Sequence, residues 1–535
     1  MQRRWHKLIG AWQRGLTPGL LWGWLAVITA LTGLRWLGER PGWTFGQVLG
    51  TLVTLVMVAG QLAALALTFS HPDQPVTWQR VWRLVWAHKL MWLLLELGLT
   101  VLMIPWGLFG LSSQLLARIW LPSEWVNLVG LHRRPVVISV AIGYLLVTLF
   151  CLIGGPRFFR RLTPGLQHPG RPGQMVRAIG VSLGLLGLWF GGSQLLVKGL
   201  QAWPPDSATS MKMVTTAGIM VSWLGFQCLT VLGITTLIWS WCGAPELRRT
   251  VEVRHGLRIV LSIATLALAG GVSWQTMTAG PTFTKQVLIS HRGVDHRRGV
   301  QNTLGALRKI HRERPDFVEM DLHETRDGQW VVLHDENLAT LAKRRVTPRQ
   351  LTLHQLQQLA IRENGQRAHL ASWPAYLRLA ERLHQPLLVE IKTTPADSAD
   401  MVRRFGKQYG QRLRRDGSCV HSLDYRVVAQ LRRRVPGLMV GYITPFNWVN
   451  PQALPANFYS LQQISVSRQF ILAAKQQGHA AYVWTPDSLA TMTRSWELGA
   501  DGQITNNLGQ LRQVTTQKPW RVSWAILQNF VYSYI

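Results

Sequence analysis

Residues 317–335 read FVEMDLHETRDGQWVVLHD and contain two β-rich runs, FVEMD at 317–321 and WVVL at 330–333, each closing on charged or imidazole side chains. β-Branched and aromatic residues suit a pleated, half-buried surface. Similar runs recur on both sides: VLIS (287–290), LLVEI (387–391), SCVHS (418–422), LMVGY (438–442), YVW (482–484) and GQIT (502–505), with SLQQIS (460–465) as a ninth candidate. Between most of them lie stretches such as TLGALRKIHRER (303–314) and LASWPAYLRLAERLHQ (370–385), whose apolar residues recur at helical spacing. Strand and helix in alternation predict a parallel sheet. About eight units over roughly 250 residues fit a closed TIM-type (β/α)8 barrel, so one of the nine strand candidates is surplus.

The polar residues that interrupt these runs fall at their C-terminal ends. His291 and Arg292 follow VLIS, Glu319 and Asp321 end FVEMD, His334 and Asp335 follow WVVL, and Glu390 and Lys392 end the LLVEI run. In a barrel those ends form the mouth where catalytic groups sit. Residues two apart on a strand face the same way, so Glu319 with Asp321 and Glu390 with Lys392 each present two groups together. Three converging carboxylates repel unless a cation compensates them, and an all-oxygen set suits Mg2+ or Ca2+ better than zinc. His291 and His334 fit acid–base roles because imidazole titrates near operating pH, while Arg292 and Lys392 supply fixed positive charge for a phosphate oxygen.

Upstream of residue 281 the composition changes. The chain of 535 residues has a net charge of +31, yet residues 1–280 hold only 23 Lys+Arg and 7 Asp+Glu, against 34 and 19 in residues 281–535. Nineteen of the 26 Trp also fall before residue 281, and indole rings favour membrane interfaces. Seven apolar stretches, near 16–37, 48–69, 90–116, 136–154, 179–197, 214–241 and 257–274, are long enough to cross a hydrocarbon core of about 30 Å. The expected organisation is a multi-span α-helical membrane domain (1–280), a barrel (281–517) and an aromatic amphipathic tail (518–535) that lies at the interface or packs on the barrel. With the amino terminus in the cytoplasm, fifteen Lys or Arg fall in inside loops against six outside, as the positive-inside bias requires. Seven spans then place the barrel on the exterior. Nucleic acid is a poor partner for such a domain; anionic substrate and membrane lipids are better ones, and the oligomeric state is left open. The apolar content excludes a disordered chain, and four cysteines, three of them before residue 281, give the barrel no disulfide framework.

HRG (291–293), QNT (301–303), VEMDLHETRDGQWVVLHD (318–335), VEIK (389–392), VWT (483–485) and GADGQIT (499–505), in that order, resemble the glycerophosphodiester phosphodiesterases over nearly all of residues 287–513. The region before them looks like the family branch with an N-terminal membrane domain. The resemblance implies a TIM barrel that hydrolyses glycerophosphodiesters to an alcohol and glycerol 3-phosphate. It implies Glu319, Asp321 and Glu390 as metal ligands, His291 and His334 as general acid and base, Arg292 and Lys392 as the phosphate grip, and Trp484 as pocket lining. It also implies attack by the substrate's own 2-hydroxyl and a cyclic phosphate that water then opens.

Two positions depart from the family pattern. Gln301 stands where Glu is usual and Asn506 where Asp is usual, so the carboxylates expected to orient Arg292 or a histidine are replaced by amides. Weakened or altered activity is one expected consequence. The competing expectation is a catalytically weak membrane protein that binds anionic glycerophosphate material as a scaffold. His296, His311, His323, His354, His369, His384, His421 and His479 are expected in surface or structural roles.

Overall fold

The computed structural model describes residues 2–38, 45–71, 76–103, 133–162, 171–243 and 255–278, together with residues 283–534 apart from 284, 297, 446–448, 450, 452, 453 and 455. The chain divides into two units. One gathers the described residues of Met1–Arg118, Arg134–Gly280 and Ile526–Ile535, and the other is drawn from Pro281–Ala525.

The first unit is helical: Gln2–Gly15, Pro18–Gly38, Phe45–Ser70, Trp78–Ala87, Lys89–Met103, Arg133–Leu162, Pro172–Ala202, Ala208–Trp241 and His255–Thr278. Among the described residues, three helices are long and apolar enough to cross a membrane: Phe45–Ser70, Gly173–Ala202 and Ala208–Trp241. A fourth span is formed if Lys7–Gly15 and Leu20–Arg35, bent by 68°, are taken together. Of the other expected spans, 90–116 is described only as far as Met103, and the apolar part of Arg133–Leu162 is confined to Pro135–Phe150. Small and polar residues join the helices. Ser193 and Ser222 share a 2.7 Å hydrogen bond, Trp189 Nε1 donates to the Ser222 carbonyl at 2.8 Å, and Trp12 Nε1 donates to Thr236 Oγ1 at 2.8 Å.

The tail belongs to this unit from Ile526 onward. The Arg35 guanidinium lies 4.2 Å from the centroid of the Tyr534 ring and donates to Ser533 Oγ, while Tyr534 packs 4.6 Å from Phe226 and 6.2 Å from Trp189. Leu527 fills the space above Gly218, where a Cβ would come within 2.9 Å of Leu527 Cδ2.

The second unit is a closed barrel. Its strands in chain order are β1 (Val287–Ser290), β2 (Phe317–Glu324), β3 (Trp330–Val332), β4 (Ala360–Glu363), β5 (Gln366–His369), β6 (Ala371–Ser372), β7 (Leu387–Ile391), β8 (Cys419–Ser422), β9 (Val440–Thr444), β10 (Phe458–Gln462), β11 (Ala480–Trp484) and β12 (Gly502–Thr505). Eight run parallel in the order β1-β2-β7-β8-β9-β10-β11-β12, and β12 pairs back to β1 with Val287 opposite Gly502. Ile289, Leu388, Cys419, Phe458 and Ile504 form one buried cluster among the strands, and a larger one joins the strands to the surrounding helices. Most of those helices open on a side-chain cap, for example Thr303, Ser467 and Ser488.

The surplus strand is WVVL. β3 runs antiparallel to β2, with Leu322 opposite Val332 and Glu324 opposite Trp330, so it is a return strand outside the barrel wall. SLQQIS is the true barrel strand β10. A separate hairpin, β4–β5, turns at Asn364-Gly365 with φ of 50° and 75°, the positive φ pair that an Asn-Gly turn favours.

Candidate active site

The mouth begins where β1 ends. His291–Gly293 forms a tight turn in which Arg292 adopts φ 55°, and this turns its backbone N–H onto Glu319 Oε2 at 2.9 Å. On β2, Glu319 and Asp321 are almost fully buried. Asp321 pairs in register with Glu390 on β7, and Glu390 with His421 on β8, so three adjacent strands carry one row of polar side chains. The Lys392 ammonium lies 3.1 Å from Asp321 Oδ1 and 2.6 Å from Glu390 Oε1. Asn302 Nδ2 donates to Asp321 Oδ2 at 2.9 Å, and Arg292 Nε lies 3.8 Å from the same oxygen.

His334 reaches the site by a different route from the one expected. β3 descends beside β2 so that the Leu333 N–H donates to the Asp321 carbonyl at 3.0 Å, which delivers the next residue to the barrel rim. His334 Nδ1 is 2.9 Å from Asp335 Oδ1, and the His334 carbonyl is 3.3 Å from His323 Nε2. His291 Nδ1 is 2.9 Å from Asn506 Oδ1 at the end of β12. Trp484 closes β11, its indole N–H donating to the Ser460 carbonyl at 3.1 Å.

Electrostatics divide the carboxylates. Burial, then the charges of Asp321 and Glu390, hold Glu319 well above the ordinary carboxylate range. Burial also acts to raise Asp321, but Lys392, His334, Arg292 and Asn302 outweigh it and hold Asp321 well below that range. Burial alone would lower Lys392; Glu390 and Asp321 reverse this and push it up. Burial, with the neighbouring Arg292 charge, pulls His291 down to about 3, so its ring is neutral at working pH.

The donor set fits a cation. Among the described residues, Glu319, Glu390 and His421 each offer a ligand atom within 4.8 Å of one another. Two of these are expected ligands. The third, Asp321, lies in the same row but is engaged by Lys392 and Asn302.

Both departures from the family pattern have a carboxylate behind them. Gln301 Oε1 accepts from Arg292 Nη1 at 2.6 Å, while its amide Nε2 and its backbone N–H both donate to Glu363 at 2.8 Å. Asn506 Nδ2 donates to Asp487 Oδ2 at 2.7 Å, and Asp487 Oδ1 also accepts from Asn506 N and Thr505 Oγ1. The sequence reading missed Glu363, Asp487 and His421. The Asn-Gly pair at 364–365 was the available signal for the hairpin that carries Glu363; nothing local marks the other two as site neighbours.

Residues 291–434 match the glycerophosphoryl diester phosphodiesterase family. The glycerophosphodiester phosphodiesterase of Caldanaerobacter subterraneus subsp. tengcongensis is 24% identical over 235 residues, which cover 42% of this chain and 95% of that one. Glycerophosphodiester phosphodiesterase GDPD4 of Arabidopsis thaliana is 21% identical over 231 residues, covering 41% and 70%. A solved Oleispira antarctica phosphodiesterase, in complex with the product sn-glycerol-3-phosphate, is 16% identical with a TM-score of 0.40 over 45% of this chain and 99% of that one. The family match falls across the strands that hold the buried carboxylates and both site histidines, and with these relatives it supports an enzyme that hydrolyses phosphodiester bonds.

Proposed function

We propose that the chain is a membrane-anchored, divalent-cation-dependent phosphodiesterase that hydrolyses glycerophosphodiesters, or glycerophosphate-containing lipids or polymers, to an alcohol and glycerol 3-phosphate, with its barrel outside the cell. The observation that carries the chemistry is the convergence of Glu319, Asp321, Glu390, Lys392 and Arg292 in one mouth rimmed by two imidazoles of different hydrogen bonding. Arg292 and Lys392 take the non-bridging phosphate oxygens. Glu319 and Glu390, with Asp321 beside them, would hold a divalent cation, which would supply Lewis-acid stabilisation of the phosphorane-like transition state when bound. Trp484 lines the pocket.

The histidines differ in their partners. Asp487 accepts from Asn506 Nδ2 and so leaves Oδ1 as the atom facing His291. His291 therefore donates through Nδ1 and keeps a bare Nε2, the form of a general base. His334 Nδ1 is paired with the Asp335 carboxylate, and His334 takes the part of the general acid. His291 removes the proton from the glycerol 2-hydroxyl, the oxygen attacks phosphorus, and His334 protonates the departing alkoxide. In the second stage a water opens the cyclic phosphate, the two rings exchange roles and both return to their starting states. Acid–base catalysis supplies about 10²- to 10⁴-fold, so the larger share falls to in-line positioning and to charge stabilisation by Arg292, Lys392 and the cation.

The test is choline release from glycerophosphocholine by the purified full-length protein supplied with Mg2+ or Ca2+. Turnover should fall by about 10²-fold or more in His334→Ala and His291→Ala, and be lost with a chelator. Binding of several glycerophosphate compounds without turnover of any would instead identify a scaffold.

A further inference from the structure

We propose that His421 Nε2 is a direct ligand of the barrel's cation, so that Glu319, Glu390 and His421 form a mixed nitrogen–oxygen site that favours Mn2+ or Zn2+ over Mg2+ and Ca2+. The inference rests on the cation dependence proposed above and goes beyond it in naming the ligand set and the class of ion.

His421 lies in the interior of β8, in register with Glu390 on one side and Gly441 on the other. Its side chain is 2% exposed, and Nε2 is a buried polar atom without a hydrogen-bond partner. A core histidine held only for structure normally satisfies both ring nitrogens. Here Nδ1 is satisfied, 2.9 Å from Ser460 Oγ, which fixes the ring plane, and His421 offers a ring nitrogen within 4.8 Å of a carboxylate oxygen of Glu319 and of Glu390. An imidazole with one nitrogen on an outer-shell partner and the other bare is the usual arrangement of a metal-bound histidine.

Asp321 lies beside this set, and both of its oxygens face neighbouring donors. Lys392 takes one of its oxygens at 3.1 Å and Asn302 the other at 2.9 Å, with Arg292 nearby. Asp321 Oδ1 and Glu390 Oε1 are likewise buried without a hydrogen-bond partner and face the Lys392 ammonium, and coordination by His421 would satisfy a further orphaned atom at the same point. Two carboxylates and one neutral imidazole match a dipositive ion in charge. Replacing one oxygen donor by imidazole nitrogen moves preference along the divalent series toward borderline ions and away from Mg2+ and Ca2+.

The experiment uses detergent-solubilised full-length protein, stripped with chelator and loaded with Mn2+ alone. Electron spin echo spectroscopy should show coupling from a directly bound 14N nucleus. His421→Gln should abolish that coupling and reduce affinity for Mn2+ and Zn2+ relative to Mg2+ by about tenfold or more. Ser460→Ala frees the ring and should weaken both signals while the protein stays folded, so the proposal remains testable if His421→Gln does not fold. Mn2+ bound without nitrogen coupling, coupling that survives His421→Gln, or signals unmoved by Ser460→Ala would overturn the assignment to His421 and leave the cation reading intact. Failure of the wild-type protein to bind any of the four ions would remove both.

Discussion

At the scale of single residues, the two amides that look like losses in the sequence sit at the centre of hydrogen-bonded relays. Gln301 stands between Arg292 and Glu363, and Asn506 between His291 and Asp487. In each, the carboxylate fixes which end of the amide faces the site. Asp487→Asn should release the Asn506 amide to present either end to His291, and loss of a hydrogen bond to a charged group, worth about 1.5–3 kcal/mol, predicts a fall in kcat of roughly 10- to 100-fold. The swap Asp487→Asn/Asn506→Asp should recover much of that loss, because one carboxylate and one amide remain in reversed order. The swapped pair also sets a carboxylate directly on His291, which raises its pKa. A base works when neutral, so the acid limb of the kcat/KM profile should move to higher pH; an unmoved limb together with no rescue would show that Asp487 has only a packing role. His291, Arg292, Glu319, Asp321, His334, Glu390 and Lys392 were legible in the sequence because each follows or ends an apolar run. Glu363 and Asp487 were not, since they meet their amides across gaps of 62 and 19 residues that no local pattern encodes.

At the scale of elements, strand content was legible and strand direction was not. An apolar run such as WVVL has the same appearance whether it joins a barrel wall or folds back along its neighbour. What distinguishes β3 is its connection: only residues 325–329 separate it from β2. A parallel crossover needs about a dozen residues or more, so a link this short permits only an antiparallel return. The turn is built by Thr325, whose Oγ1 donates to Asp327 Oδ1, and by Gly328 at φ 68°. This hairpin brings His334 to the mouth without a barrel strand of its own. Closure of the barrel depends on another glycine. At Gly502 a Cβ would lie 2.7 Å from both the carbonyl oxygen and Cβ of Val287 and 3.0 Å from the Tyr482 ring, at the pairing of β12 with β1 and β11. Gly502→Ala must therefore spread two strand pairs. Overpacking of this kind costs about 1–3 kcal/mol, to be read as a lowered midpoint in thermal unfolding followed by protease resistance of residues 281–525. An unchanged midpoint would show that the closing strands have room to shift.

At the scale of the whole molecule, the charge excess divides between a helical region with few acidic residues and a barrel with ordinary charge content, each strongly basic. Helices and apolar stretches were legible before residue 281; their number as membrane crossings was less so, because apolar runs interrupted by Pro or Arg produce bent or shortened helices. That number decides where catalysis occurs. With a cytoplasmic amino terminus, an odd number of crossings exports the barrel and an even number retains it. The segment from Ile526 to Tyr534 does not alter the parity: the helix Trp524–Tyr532 has 9 residues and spans about 14 Å at 1.5 Å per residue, less than half a hydrocarbon core. In the proposed seven-crossing arrangement fifteen basic residues would lie in inside loops against six outside, and the +15 of residues 281–535 would be an exterior charge available to anionic lipids or polymers. The expected result is that protease added to intact cells, or to spheroplasts where a wall intervenes, cleaves exposed barrel sites such as Arg367 or Lys407, and that glycerophosphodiester added outside is hydrolysed without uptake. Cleavage and activity that appear only after lysis would mean that one crossing too many or too few has been assigned, and would make the substrate a cytoplasmic one.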